Sequence, residues 1–184
     1  MFRGKPPSAT APAPSVEPER RIPFRAGGLL DGPAGYDQIF SVVRAAVRAV
    51  LHKERPGLSL GLSDLPPQLG AYWPVTGNLI VMNEGLVEAM RRHAENPREF
   101  NSFVFVILMH EYLHTLGYLS ERQVRPVTAL VARQALGPEH PATKMAEGDL
   151  WQMFPFLQYA PQGHGARLRV VRGFDTDTTA SYIR

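Results

Sequence analysis

The clearest chemical pattern in the sequence is a pair of histidines, His110 and His114, with Glu111 directly after the first. On an α-helix, positions four apart lie on one face, so both imidazoles can bind one metal ion, and zinc suits such ligands. Glu111 lies about 100° further around the helix, where its carboxylate is off the ion but can reach a water molecule bound to it. The spacing predicts a metal site with Glu111 as the catalytic general base.

A zinc ion lowers the pKa of bound water to about 7. A carboxylate beside that water takes its proton as the oxygen attacks a carbonyl carbon, and then gives the proton to the leaving nitrogen. These are the steps of peptide-bond hydrolysis. We therefore expect a zinc metallopeptidase that binds one Zn²⁺ ion per chain and acts on a peptide or protein substrate.

The residues before the motif argue against a chance occurrence of the pattern on a surface helix. Residues 103–109 are all apolar, which indicates a helix that is buried on every side. Two histidines and a glutamate at the end of such a helix are costly to bury without partners, and a metal ion is a partner for them. The alternative interpretation is an accidental or purely structural cluster.

Composition limits the class of protein. A chain of 184 residues, 44% of them hydrophobic, is long enough for one domain with a core, and the lack of cysteine excludes cysteine-ligated zinc and disulfides. The net charge is only +3 and the arginines are scattered, so a nucleic-acid partner is not indicated. Because we find no apolar stretch of membrane-spanning length and no signal-peptide core, we expect a soluble, cytoplasmic protein without a membrane partner.

The N-terminal residues differ in composition from the rest. Residues 1–23 hold six prolines among small and charged residues, a composition that cannot bury enough surface to fold by itself. We expect a flexible tail over residues 1–23 and a single domain over residues 24–184.

Hydrophobic spacing predicts the elements that precede the motif. Apolar residues recur at helical intervals from Tyr36 to Arg55, and the segment from Leu58 to Leu62 alternates as a strand does. The segments from Gly70 to Val75 and from Asn78 to Asn83 predict a hairpin. A short helix is expected to follow, capped by Asn83 and ending at about Ala94.

The motif helix has strong start and stop signals. Asn96 is a good N-cap, Pro97 suits the first helical position, and Gly117 suits a left-handed C-terminal stop. We expect this helix to run from Pro97 to about Leu116, with the histidines in its last two turns. Further elements are predicted as a helix after Ser120, a helix from about Ala142 to Phe154, and a strand from Arg167 to Arg172.

The segment from His110 to Gly117 resembles the HExxHxxG motif of the zincin metallopeptidases, in its metzincin form. The resemblance covers Asn78 to Glu121. It implies an α+β, zincin-like fold in which a small mixed sheet with an edge strand packs on a central active-site helix and further helices. It also implies that Asn78 to Asn83 is the edge strand that pairs with an extended peptide substrate, with an ordinary strand of the sheet as the alternative.

The third zinc ligand is not given by the motif. In metzincins it stands three residues after the glycine, where this chain has Ser120, a poor zinc ligand. A catalytic zinc needs three protein ligands and an open position, and a one-residue shift of the loop would bring in Glu121. We therefore expect the metal ligands to be His110, His114 and Glu121. Three alternatives stay open: Glu147, which would match the later-helix glutamate of gluzincins, His140 and His164.

Two other functions match parts of the sequence. The HxxLHxxGY pattern of the YbeY endoribonucleases is also present, at His110, Leu113, His114, Gly117 and Tyr118. That family, however, has glycine at the place of Glu111 and histidine at the place of Ser120. The other hypothesis is a non-catalytic zinc-binding or pseudo-protease domain, for which a closed site with four protein ligands would be the signature.

Overall fold

The computed structural model describes residues 25–161 and 168–175, and within these ranges the chain forms six α-helices and four β-strands. They are, in chain order, α1 (Tyr36–Leu51), β1 (Ser59–Ser63), β2 (Ala71–Tyr72), β3 (Leu79–Asn83), α2 (Glu84–His93), α3 (Pro97–Thr115), α4 (Glu121–Leu136), α5 (Pro141–Glu147), α6 (Leu150–Met153) and β4 (Arg169–Val170). Two 3₁₀ helices span Arg25–Leu30 and Pro155–Tyr159. The expected mixed α+β class is confirmed. The tail predicted over residues 1–23 lies outside the described residues.

The four strands form one mixed sheet in the order β2-β3-β1-β4. β1 and β3 are parallel and pair over their whole length, from Ser59 opposite Leu79 to Ser63 opposite Asn83. β2 pairs with β3, and β4 pairs with β1, both in antiparallel fashion. The two central strands are buried after their first residue, as expected for a parallel pair that is covered on both faces.

The segment from Asn78 to Asn83 is not an edge strand, contrary to what the resemblance implies. Its strand, β3, lies between β1 and β2 and has a pairing partner on each side. The predicted hairpin of β2 and β3 is confirmed, and β2 is the strand at this edge of the sheet. β2 is shorter than the predicted Gly70 to Val75 because Pro74 has no N–H for the ladder and Val75 already belongs to the turn.

The motif helix α3 is central to the fold. It packs against α1, α4 and α5 and against β2 and β3. It starts as predicted, with Pro97 as its first residue and the Asn96 side chain accepting a hydrogen bond from the Glu99 N–H at 2.9 Å. Residues 100–109 are all buried, so apolar contacts surround the helix up to its last two turns. Neither α3 nor another helix in the described ranges has the length and apolar character needed to cross a membrane.

Two predicted helix boundaries are wrong. α1 ends four residues before Arg55, because His52 adopts a left-handed conformation with a φ of 54° and Arg55 precedes a proline, which disfavours helical backbone. The helix predicted from Ala142 to Phe154 is divided into α5 and α6. Gly148 is extended between them, and the Asp149 side chain caps α6.

His140 caps α5 from a buried position. Its Nδ1 atom accepts a hydrogen bond from the Ala142 N–H at 3.1 Å, while Nε2 is buried without a hydrogen-bond partner among the described residues. Burial lowers the pKa of His140 to about 4; Arg98 acts in the same direction and Asp31 opposes it. The folded protein therefore holds this imidazole in its neutral form at pH values where the unfolded chain binds a proton.

We expect His140 to destabilise the fold as the pH falls. Because the folded pKa lies below the unfolded value of about 6.5, the fold has its full stability above that value and loses it as the pH falls towards 4. His140→Asn keeps a capping oxygen but does not titrate. Between pH 7 and pH 5, its free energy of unfolding in urea should fall by about 1–2 kcal/mol less than that of the wild type.

The control is His52→Asn, a change at an exposed histidine in a left-handed conformation that asparagine tolerates. This variant should keep the pH dependence of the wild type. If the free energy of unfolding depended on pH identically in the wild type and in His140→Asn, the lowered pKa of His140 would not be the cause of the lost stability.

Candidate metal centre

The two histidines and the glutamate of the motif lie together in the last two turns of α3, as predicted. The imidazole centroids of His110 and His114 are 5.0 Å apart. His110, Glu111 and His114 each offer a ligand atom within 4.8 Å of the others, so the three side chains form a group that could hold a metal ion. The three residues of the sequence motif are therefore also close to one another in the structure.

Glu121, the first residue of α4, joins this cluster from the next helix. Its Oε1 atom lies 3.2 Å from His110 Nε2 and 3.3 Å from His114 Nε2. A tetrahedral zinc ion with bonds of about 2.0–2.1 Å places its ligand atoms about 3.3 Å apart, so these separations fit a shared ion. Ser120 precedes α4 as predicted, although its hydroxyl makes no capping hydrogen bond.

The turn between α3 and α4 orients His114. Gly117 has a φ of 98°, a conformation that favours glycine, and its N–H donates to the His114 carbonyl at 3.1 Å. The chain reversal brings the Tyr118 carbonyl to 2.7 Å from His114 Nδ1, which donates a hydrogen bond to it. With the ring proton on Nδ1, the lone pair of neutral His114 is on Nε2, the nitrogen that faces Glu121.

When His114 is neutral, its Nε2 atom is a hydrogen-bond acceptor. It then faces a second acceptor, Glu121 Oε1. Burial lowers the pKa of His110, which favours the neutral form of that ring as well. A lone pair and a carboxylate oxygen repel at this distance unless a proton or a metal ion lies between them. Two imidazoles and one carboxylate are also a ligand set that catalytic zinc uses, so the residues present fit a divalent cation.

Glu111 is almost fully buried, with 6% of its surface exposed, and lines the same cleft as His110 and Glu121. Burial raises the pKa of its carboxyl group to about 7, with a further contribution from the charge of Glu121 and an opposing one from a hydrogen bond with the backbone N–H of Trp73. The Trp73 N–H thus favours the ionised form of Glu111, against the effect of burial.

Arg55 ties the end of α3 to the turn between β2 and β3, a role that the sequence analysis missed. Its guanidinium donates to the Thr115 carbonyl at 3.0 Å and to the Gly77 carbonyl at 2.9 Å. The indole N–H of Trp73 donates to the same Gly77 oxygen at 2.7 Å. These contacts join the end of α3 to Trp73, the residue whose backbone N–H favours the ionised form of Glu111. No spacing signal in the sequence connects Arg55 with Trp73.

The cluster lies in a cleft of about 540 Å³. The group that could hold a metal ion lies on α3, and Glu121 of α4 lines the cleft beside it. The sheet edge at Gly70 and Ala71 and residues of α5 and α6 also line the cleft. This volume is in the range of sites that enclose a small ligand, about 300–1,000 Å³.

The other third-ligand candidates have partners elsewhere or lie outside the described residues. Glu147 forms an ion pair with Arg133 at 2.7 Å, and His140 caps α5. Neither belongs to the group of His110, Glu111 and His114 that could hold a metal ion. Glu121 is also outside that group, but it differs from both candidates in its contacts of 3.2 and 3.3 Å with the two imidazoles. His164 lies outside the residues that the structure describes.

Comparisons with known proteins identify no relative of this chain. No protein-family model, no curated protein and no solved structure matches it. The likeness to zincins therefore rests on the motif and on the geometry of the site.

We expect metal binding to depend on Glu121 and not on Glu147. His114→Ala should abolish retention of the metal during dialysis, and Glu121→Gln should weaken the affinity by at least about 10–100-fold, since even the loss of a residue behind a metal ligand has that effect. Metal content by elemental analysis and affinity by competition with a chromophoric chelator measure both changes.

Glu147→Gln is the matched control, because it makes the same chemical change on a helix that also lines the cleft. It should bind metal as the wild type does. Loss of metal in Glu147→Gln, with retention in Glu121→Gln, would assign the third ligand to Glu147 instead.

Proposed function

We propose that this protein is a zinc-dependent peptidase in which His110, His114 and Glu121 bind one zinc ion and Glu111 is the general base. The observation that carries the proposal is the convergence of Glu121 Oε1 on both histidine Nε2 atoms, at 3.2 and 3.3 Å, at one side of a cleft that Glu111 also lines. Three protein ligands leave a fourth position open, as catalytic zinc sites do and closed structural sites do not.

Two carboxylates compete for the third ligand position, and we assign Glu121 to it. Glu111 belongs to the group of potential ligands by distance, but the carboxylate contacts of both imidazole Nε2 atoms among the described residues are with Glu121. Glu121 lies between the two imidazole nitrogens, and its second oxygen is paired with Arg125 at 3.2 Å. With Glu121 as the third metal ligand, Glu111 is free for proton transfer.

A bound zinc ion would supply a water molecule with a pKa near 7 and would polarise the carbonyl group of the substrate. Glu111 accepts the proton of the attacking water at its carboxylate and delivers it to the amide nitrogen that leaves. The backbone N–H of Trp73 favours the ionised form of that carboxylate, the form that accepts a proton, and Glu111 is 6% exposed. Each of these roles depends on a contact within this chain.

A peptide substrate is favoured by the edge of β2 that has no partner strand among the described residues, where Ala71 is 6% exposed. The Gly70 carbonyl accepts a hydrogen bond from the Asn83 N–H at 2.9 Å, so Gly70 faces β3. In an antiparallel ladder, alternate residues direct their N–H and C=O groups away from the partner strand, and Ala71 is therefore the residue that faces outwards. β2 has no further strand beside it among the described residues, and Ala71 lines the cleft. An extended peptide can add a strand there, next to Glu111.

We expect Glu111→Gln to separate metal binding from turnover. The variant keeps all three proposed ligands, so its zinc content should equal that of the wild type, whereas its kcat on a peptide substrate should fall by about 10²–10⁴-fold. Elemental analysis and a fluorogenic peptide assay on the same preparation give both values, and Glu147→Gln is the control that should keep full turnover.

Unchanged peptide cleavage by Glu111→Gln would contradict the assignment of Glu111 as the general base. Cleavage of RNA that survives this substitution would instead favour a nuclease similar to the YbeY endoribonucleases. Zinc binding with no turnover on any peptide would favour a non-catalytic domain.

A further inference from the structure

The sheet side of the cleft is lined by residues 68–71, to which we refer as the cleft wall. The segment that leads into it, residues 64–70, forms no helix or strand, so its position depends on hydrogen bonds made by its backbone. The hydrogen bonds that join this backbone to the rest of the described chain all come from one residue, Asn83.

Asn83 is the last residue of β3 and is 2% exposed. Its side-chain amide donates to the carbonyl groups of Leu65 at 3.1 Å, Pro66 at 3.1 Å and Leu69 at 2.9 Å. Its backbone N–H donates to the Gly70 carbonyl at 2.9 Å. Two consecutive carbonyl groups of the cleft wall are therefore directed towards β3 by the same residue.

Other backbone groups of the cleft wall have no partner in the described part of the chain. The N–H of Gly70 makes no hydrogen bond there, and neither do the N–H and C=O groups of Gln68, which is exposed. A peptide that enters the cleft gives up hydrogen bonds to water, so donors and acceptors that are already in place bind its main chain at a lower ordering cost.

We propose that Asn83 is a positioning residue for the peptide substrate. It does not line the cleft; it fixes the cleft wall, whose remaining backbone groups bind the main chain of the peptide beside Glu111. This inference rests on the proposed peptidase function and adds to it the means by which the substrate is held. Loss of this contact should weaken peptide binding and leave the metal ligands in place.

The two ends of the Asn83 side chain have separate roles, which a substitution can separate. Oδ1 accepts hydrogen bonds from the N–H groups of Gly85 at 3.1 Å and Leu86 at 3.4 Å, at the start of α2, whereas Nδ2 binds the segment before the cleft wall. Asn83→Ser keeps a capping oxygen and removes the amide N–H groups. Asn83→Asp, which has the shape of asparagine and also keeps the cap, replaces it should Asn83→Ser fail to fold.

Asn101→Ser is the matched control for a general loss of stability. Asn101 is also 2% exposed, and its side-chain amide donates to the carbonyl groups of Leu30 at 3.1 Å and Gly32 at 2.7 Å. Neither of these two residues lines the cleft. This variant therefore loses the same kind of buried contact without a change in the cleft wall.

The test uses the full-length, zinc-loaded protein and a fluorogenic octapeptide, chosen as the most rapidly cleaved member of a randomised library, with copies N-methylated at each backbone amide in turn. In the wild type, methylation of at least one amide should raise KM by about 5–20-fold, because that amide no longer donates to a carbonyl group of the cleft wall. In Asn83→Ser, KM for the unmethylated peptide should rise by about the same factor and the effect of methylation should fall below about twofold, with kcat within about threefold of the wild type. Zinc content should not change, and Asn101→Ser should keep the wild-type KM and the effect of methylation.

A second measurement does not depend on turnover. Fluorescence anisotropy of a fluorescein-labelled copy of the octapeptide with metal-free protein should give a Kd about 5–20-fold higher in Asn83→Ser than in the wild type or in Asn101→Ser.

A folded Asn83→Ser with the KM and the methylation effect of the wild type would overturn the inference and leave the peptidase function intact. An equal loss of affinity in Asn101→Ser, or no effect of methylation in the wild type, would do the same. Absence of peptide cleavage that depends on Glu111 would overturn both.

Discussion

The contact between the Glu121 carboxylate and the two imidazole nitrogens is the interaction on which the site depends. It brings an anionic oxygen to 3.2 Å from His110 Nε2 and to 3.3 Å from His114 Nε2. The Nδ1–H group of His114 donates its hydrogen bond to the Tyr118 carbonyl. Without a cation between them, these acceptors would repel. A metal ion or a proton in that place removes the repulsion, and the cluster is therefore a candidate metal centre.

The surrounding fold keeps this contact in place from three sides. Burial of residues 100–109 fixes α3, and the turn at Gly117 brings α4 back so that its first residue reaches the histidines. Arg55 then joins the C-terminal end of α3 to the β2–β3 turn. Each of these links is made by a different segment, so the positions of the two histidines, Glu111 and Glu121 depend on the whole domain and not on the motif helix alone.

Local signals were sufficient to predict the limits of the central helix and the clustering of its two histidines with Glu111. The Asn96 cap, the proline after it and the glycine after the last turn set the limits of α3 within one residue, because caps act over a few neighbouring residues. The histidine pair follows from helical periodicity, and Glu121 could be named because only a short loop separates it from His114. The mixed α+β class was expected from the resemblance to zincins, and the helices and strands confirm the class alone.

Contacts between distant segments were not predictable in this way. The place of β3 inside the sheet depends on its pairing with both β1 and β2, and spacing within one strand contains no information about its neighbours. Arg55 is 18 residues before Trp73 in the sequence, and they meet at the Gly77 carbonyl. Similarly, Asp175 accepts hydrogen bonds from the backbone of Gly57 and Leu58 and pairs with Arg44, although more than 100 residues separate them.

Anomalous diffraction at the zinc edge from crystals of the zinc-loaded protein tests the central claim most directly. The account predicts one peak, about 2.0–2.2 Å from His110 Nε2, His114 Nε2 and an oxygen of Glu121, with Glu111 outside the coordination sphere. A peak bound by Glu111 in place of Glu121, four protein ligands around the ion, or no peak at this position would contradict it.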